Sequence, residues 1–84
     1  MGYPIPRKIV LPFGYTVRVV QVPYQELLLR GTEDGALWDV EAQVLYLDQD
    51  QPVKVKRYWL MSQLHHVVLD ANHAMLDDGF MTPI

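Results

Sequence analysis

The chain has 84 residues, half of them apolar and a fifth of them charged, and a formal net charge of −3. That length allows one domain, residues 1–84, with a modest core, and the composition is that of a globular protein rather than a disordered one. The absence of cysteine excludes disulfides, cysteine-based zinc sites and thiol nucleophiles. The charge lacks the basic footprint of nucleic-acid-binding domains, so no nucleic-acid partner is expected.

Neither the apolar stretches of the chain nor its opening residues favour a membrane location. No apolar stretch approaches the about 20 residues that a membrane-spanning helix needs. The opening residues, MGYPIP, have neither the charged region nor the apolar region of a signal peptide. We therefore expect a cytoplasmic protein without a membrane partner, and the lack of cysteine fits a reducing compartment.

The first quarter of the chain predicts one strand after an irregular opening. Three of the six prolines lie near the start, and they favour an extended segment in which residues 9–11 pair briefly at a sheet edge. The β-branched run YTVRVVQV then predicts a strand over residues 15–22. Val17 and Val19 would lie on one face of this strand, and Arg18 on a face that meets solvent or a loop.

The segment that follows this strand is ambiguous. Residues 24–30, YQELLLR, fit either a short helix with Tyr24, Leu27 and Leu28 inward, or an extended segment. Residues 31–35, GTEDG, are a loop by composition.

Residues 36–39 and 43–48 predict the two arms of a β-hairpin, joined by residues 40–42. The second arm, QVLYLD, alternates apolar side chains on both of its faces. We therefore expect one face to pack on a helix and the other to be partly covered.

A long helix is predicted from the start signal at Asp50 and Pro52 to about Asp77, with Gly79 ending it. One apolar stripe of this helix should pack on the sheet: Val53, Leu60, Leu64, Val67, Ala71 and Met75. The predicted fold class is thus α+β, a small antiparallel sheet of about three strands packed on one long C-terminal helix.

Polar side chains gather on a separate face of the same helix. At about 100° per residue, this face carries Trp59, Ser62, Gln63, His66, Asp70, His73 and Asp77. His66, Asp70 and His73 are spaced four and three residues apart, so their side chains could reach one ion, and zinc is the possible metal. We favour the interpretation in which Asp70 hydrogen-bonds to or pairs with the two histidines and no cofactor is bound, because three ligands from one straight helix rarely converge on a tetrahedral ion.

Residues 43–73 resemble the small zincin-like metallopeptidases of the minigluzincin and ImmA/IrrE kind. Those proteins have a hairpin that ends in an apolar strand, a short polar loop, and a helix that bears an H-E-x-x-H motif. Here GALWDVEAQVLYLD, DQDQPVKVKRYWL and RYWLMSQLHHVVLDANH follow in that order, and LPFGYTV is similar to the family's first strand. The resemblance extends from about Leu11 to Asp77 and implies a zincin-like fold.

The resemblance also implies that catalysis is lost. Ser62 stands at the motif's first histidine, Gln63 stands at its glutamate, and His66 matches the second histidine. In the family, the histidines hold zinc and the glutamate takes a proton from the zinc-bound water. Glutamine cannot accept that proton and serine is not a normal zinc ligand, so we expect no normal peptidase activity. Asp77 and Asp78 are the candidates for the family's later acidic ligand, and neither matches a motif.

The sequence leaves three functions open. We favour a non-catalytic zincin-like domain that acts as a binding or regulatory module, with a protein or peptide partner held as an added strand beside a sheet edge. The second is a metal-binding protein or hydrolase that uses His66, Asp70 and His73. The third is a small structural homodimer, because apolar residues occur on nearly all sides of the long helix. A Ser62–His66–Asp70 triad is disfavoured, since no nucleophile elbow accompanies it.

Overall fold

The computed structural model describes the backbone of residues 5–77 and the side chains of residues 5–12 and 14–72. The strands are β1 (Lys8–Val10), β2 (Thr16–Val22), β3 (Ala36–Asp39) and β4 (Val44–Asp48). The helices are α1 (Tyr24–Leu29) and α2 (Val53–Asp77), and one turn of 3-10 helix, Pro12–Gly14, joins β1 to β2. None of the helices in this described part is long and apolar enough to cross a membrane.

The four strands form one mixed sheet in the order β1-β2-β4-β3. β1 is antiparallel to β2 and β3 is antiparallel to β4, whereas the neighbours β2 and β4 are parallel. The fold class is α+β with a C-terminal helix, as predicted. The sheet has four strands rather than about three, and it is mixed rather than antiparallel because β2 and β4 are parallel. Most of β4 is buried, and a strand that is apolar on both faces is stabilised most at the centre of a sheet.

The main core lies between one face of the sheet and α2. Its buried members are Val17, Val19, Ala36, Leu45, Leu47, Leu60 and Val67. Leu64 packs against this core and Ala71 is buried, so most of the predicted apolar stripe is confirmed. Val53 was predicted to be inward but is 47% exposed, because it starts α2, which first packs against the core at Trp59. The side chain of Met75 lies outside the described residues.

The segment 24–30, ambiguous by sequence, contains the helix α1. Leu27 is fully buried, whereas Tyr24 and Leu28, which the helical alternative placed inward, are exposed. Tyr24 instead extends along the following loop, where its hydroxyl donates a hydrogen bond to the carbonyl oxygen of Glu33 at 2.7 Å. A helix of under two turns therefore buries a single leucine.

The second face of β4 is covered near the end of α1. The guanidinium carbon of Arg30 lies 4.2 Å from the centroid of the Tyr46 ring. Tyr46 alternates along β4 with the core residues Leu45 and Leu47, so its side chain lies on the sheet face opposite α2. The prediction that one face packs on a helix while the other is partly covered is confirmed.

The start of α2 differs from the predicted cap. The backbone carbonyl of Pro52 accepts hydrogen bonds from the N–H groups of Val55 and Lys56, both at 3.0 Å, so Pro52 immediately precedes the helix. Asp50, predicted as the cap, instead donates its N–H to the buried carboxylate of Asp48 at 3.0 Å. The predicted helix end at Gly79 lies outside the described residues.

Candidate functional site

A groove of about 320 Å³ lies between α2 and the edge of the sheet formed by β3. The helix contributes Gln63, His66 and Asp70 to its wall. The other wall consists of β3 and its flanking loops, which contribute Thr32, Asp34, Ala36, Leu37, Trp38 and Val40. The groove thus joins three polar helix residues to a strand that has a neighbour on one side only.

The structure brings together some of the predicted site residues and separates others. Gln63, His66 and Asp70 line the groove, as their shared helix face predicts. Ser62 is exposed and lines a different, shallow surface pocket together with Tyr58 and Met61, among others. The backbone of His73 belongs to α2, but its side chain lies outside the described residues, as does that of Asp77, and Asp78 lies outside them entirely.

Asp70 is held by a residue that the sequence analysis did not assign to the site. The indole Nε1–H of Trp38 donates a hydrogen bond to Asp70 Oδ2 at 2.6 Å, across the groove from β3 to α2. Trp38 is half-buried and packs against the core. A buried indole N–H needs an acceptor. From the sequence, this requirement could have indicated that Trp38 has a hydrogen-bond partner, but not which residue it is. The predicted pairing of Asp70 with His66 and His73 stays a prediction, because the side chain of His73 lies outside the described residues.

The charge of Asp70 also reaches Tyr15, which precedes β2. Burial raises the pKa of the Tyr15 hydroxyl above its ordinary value of 10.0, and the negative charge of Asp70 raises it further. Tyr15 packs against the same core as Trp38. Asp70 is therefore a partly buried carboxylate that two aromatic side chains, Trp38 and Tyr15, border.

Backbone hydrogen bonds show which groups of β3 are free. The N–H of Asp48 donates to the carbonyl of Gly35 at 3.0 Å, so these two residues form a hydrogen-bonded pair of the antiparallel ladder. Such pairs alternate with pairs that exchange no hydrogen bond, so Leu37 directs its N–H and C=O towards β4. The backbone groups of Ala36 and Trp38 therefore point to the open edge. Ala36 is buried at the floor of the groove, whereas Trp38 is more accessible.

A metal site is not assembled by the described side chains. Within residues 5–12 and 14–72, no group of three or more His, Asp or Glu side chains is placed to hold an ion. One oxygen of Asp70 already accepts the Trp38 N–H. The ligand set His66, Asp70 and His73 stays a prediction, because the third member lies outside that part of the chain.

The described side chains of the groove supply hydrogen-bond donors and acceptors. An amide at Gln63 can donate and accept hydrogen bonds but cannot take a proton from water. His66 is exposed at the groove wall, and its ring centroid lies 5.8 Å from that of its neighbour His65. Ser62 lines a pocket separate from the one that contains His66 and Asp70, so the triad interpretation gains no support.

Comparison with known proteins adds no family to this description. No family model matches the chain, and neither a curated protein nor a solved structure matches it. The zincin-like resemblance accordingly stays a prediction, which rests on the residues quoted above.

Proposed function

We propose that this protein is a binding module without peptidase activity, and that it holds an extended peptide along the open edge of β3. The observation that carries the proposal is the direction of the Trp38 backbone groups. They point away from β4 into the rim of a groove whose far wall is α2. Main-chain hydrogen bonds to such an edge provide affinity, while adjacent pockets select side chains.

The wall beside this edge supports a fixed binding geometry. Trp38 is anchored on both sides, by core packing and by its 2.6 Å hydrogen bond to Asp70. Gly35, at the start of the same edge, lies so close to α2 that an added Cβ would be 2.6 Å from Trp59 Nε1. A strand that is held in this way loses little conformational freedom on binding, which favours affinity.

The groove also favours one kind of side chain. Asp34 and Asp70 line it, and its remaining polar members are Thr32, Gln63 and His66. At neutral pH this set carries negative charge, so an extended peptide with basic side chains should bind better than one with acidic side chains.

The proposed lack of peptidase activity rests on one helix residue of the groove, Gln63. In the zincin mechanism a glutamate beside the metal accepts a proton from water, and this chain has Gln63 at that position of the resemblance. A bound peptide would therefore be retained rather than cleaved.

The test uses two blocked eight-residue peptides, one alternating valine with lysine and the other alternating valine with glutamate. We expect the lysine peptide to shift the Trp38 amide resonance saturably and to slow its hydrogen exchange, with weaker effects from the glutamate peptide. The matched control is the lysine peptide with alternate N-methylated residues, which removes the donors that an added strand needs. Equal binding of the methylated peptide, or no effect at Trp38, would overturn strand addition.

The same mixture tests the second half of the proposal. After incubation with added zinc, mass spectrometry should find the lysine peptide intact. Cleavage that depends on added zinc would contradict the proposed lack of peptidase activity, whether or not the peptide binds at β3.

A further inference from the structure

The two open edges of the sheet carry opposite charges. The β3 edge has Asp39 on the strand and Asp34 and Asp70 in the adjoining groove. The β1 edge has Arg7 and Lys8, both exposed, on the opposite side of the sheet. We propose that the extended segment bound at β3 is strand β1 of a second copy of this chain, so that the sheet continues from copy to copy. This inference rests on the proposed function, because it assigns the occupant of the same edge.

Hydrogen bonds show that β1 can offer its backbone. The N–H of Val19 donates to the carbonyl of Arg7 at 2.9 Å, and Lys8 is opposite Arg18. By the alternation of the antiparallel ladder, Arg7 faces β2 while the N–H and C=O of Lys8 and Val10 point to the open edge. Val10 is 62% exposed, so these groups are accessible.

Repulsion between Lys8 on β1 and Arg18 on β2 would be reduced by an acidic partner at the β1 edge. Lys8 and Arg18 face each other at a position without direct hydrogen bonds, where cross-strand side chains approach most closely and like charges destabilise the sheet. An ion pair joins Arg30 to Glu26 on and beside α1, away from this edge. An acidic edge placed beside Lys8 would offset the repulsion.

The charges meet when one copy is displaced sideways along the sheet. Asp39 and Arg18 are both opposite Val44, on its two sides, and Lys8 is opposite Arg18. These residues form one row across the sheet, with Lys8 at one end and Asp39 at the other. Continuing the row into a second copy therefore sets Asp39 beside Lys8 of that copy, and β3 and β1 then run parallel.

The hydrogen-bond pattern accepts this register. With Asp39 opposite Lys8 of the second copy, Trp38 is opposite Arg7. The Trp38 carbonyl can then accept the N–H of Lys8, and the Trp38 N–H can donate to the carbonyl of Pro6, as in a parallel ladder. The Arg7 side chain of the second copy lies on the α2 side, next to the carboxylate of Asp70.

Charge also disfavours closed dimers in which two identical edges, β3 with β3 or β1 with β1, pair with each other. Two β3 edges would bring acidic residues together and two β1 edges would bring basic residues together, and both arrangements repel. Pairing of β3 with β1 joins different surfaces of the two copies, so each assembly retains one open edge of each kind and can grow further.

The experiment measures mass against concentration by sedimentation for the full chain, from micromolar to millimolar. The weight-average mass should rise from 9.7 kDa past that of a dimer without a plateau, and the rise should disappear at about 1 M salt, where the Debye length is about 3 Å. Two charge-reversed variants, Arg7→Glu/Lys8→Glu and Asp34→Lys/Asp39→Lys, should each stay monomeric when alone. Mixed together, they should associate again, because each restores the complementary edge of the other.

If the two variants associate again when they are mixed, each has lost association and not folding. Circular dichroism of each variant checks its folding in parallel. Because Asp39 Oδ1 accepts the N–H of Ala42 at 3.1 Å, Asp34→Lys alone is the second acidic-edge variant should the first unfold. A monomeric wild-type chain at every concentration, or a mixture that stays monomeric, would overturn this inference. If the lysine peptide still binds at Trp38 in that case, the proposed function stands without it.

Discussion

The two outer strands of the sheet are similarly short, but they differ in what lies behind them. β3 is backed by α2: Ala36 is buried beneath the helix, and Trp38 is hydrogen-bonded to Asp70. β1 packs mainly against β2, and both Lys8 and Val10 are exposed. An open edge offers backbone donors and acceptors in either case. The β3 edge lies beside a groove walled by α2, whose side chains can select what binds, and the β1 edge offers its backbone groups as a ligand.

Replacing the indole of Trp38 tests the anchoring of β3 most strongly. Trp38→Phe keeps an aromatic ring but leaves the partly buried Asp70 carboxylate without its described donor, so we expect a loss of about 1.5–3 kcal/mol in the free energy of unfolding. Urea denaturation measures the loss. The control is Asp70→Asn, whose amide oxygen still accepts the indole N–H and which should cost less; equal losses would mean that the hydrogen bond is not what anchors β3.

Gly35 is closely packed at the start of the β3 edge, so a larger residue there should disturb the edge by steric overlap. A Cβ there would lie 2.6 Å from Trp59 Nε1 and 2.7 Å from Gln51 Oε1. Gly35→Ala should therefore lower the free energy of unfolding by about 1–3 kcal/mol, the usual range for overpacking. Val10→Ala on the exposed edge is the comparison and should change stability by under about 0.5 kcal/mol. Similar effects at the two positions would remove the contrast between the edges.

On the β1 side, removing a charge should stabilise the monomer. Lys8→Thr relieves the cross-strand repulsion with Arg18 and places a β-branched residue in a strand, so we expect a gain of about 0.2–1 kcal/mol. The measurement is thermal unfolding at a low protein concentration, where association between copies is negligible. Lys8→Arg preserves the charge and should leave stability unchanged; a loss of stability in Lys8→Thr would argue that the lysine has a favourable partner within the monomer.

The pH dependence of the free energy of unfolding should report how burial and the charge of Asp70 act on Tyr15. The pKa of Tyr15 is raised by burial and by Asp70, so the folded protein binds this proton more tightly than the unfolded chain does. The free energy of unfolding should consequently fall as the pH rises above about 10 and through the folded-state pKa of Tyr15. Tyr15→Phe should flatten this fall.

Asp70→Asn sharpens the same measurement. Removing the carboxylate should lower the pKa of Tyr15 only in part, because burial is the larger of the two causes. Ultraviolet titration against Tyr15→Phe isolates the signal of this tyrosine. An unchanged pKa in Asp70→Asn would show that the carboxylate is too far from Tyr15, or too well solvated, to act on it.

Local patterns were sufficient for most elements and insufficient for their arrangement. The β-branched run predicted β2 and the alternating segment predicted both arms of the hairpin, because side-chain periodicity reports burial directly. They did not predict that β2 and β4 are parallel neighbours, since pairing between distant segments depends on the best burial of the whole set of strands. The ambiguity of residues 24–30 had the same origin, because a helix of six residues has little intrinsic preference and depends on its contacts.

The candidate site divides in the same way. The face shared by Gln63, His66 and Asp70 follows from helical periodicity, and the groove confirms that these three residues lie together. Trp38 was missed because it lies 32 residues away from Asp70 in the chain, and no local spacing relates a strand residue to a helix residue. Ser62 was grouped with the site because of its angle on the helix, yet it lines another pocket. Helical periodicity gives the direction of a side chain, but it does not show how far the neighbouring strand extends along the helix.

The sequence by itself determined the α+β class and, closely, the bounds of the hairpin arms and of the long helix. These features depend on residue type and on spacing along one element. The tertiary structure decided that β4 is central, that β3 and β1 are the open edges, and that Trp38 reaches Asp70. Those outcomes depend on which distant surfaces bury one another, a choice made by the summed free energy of all contacts rather than by any one segment.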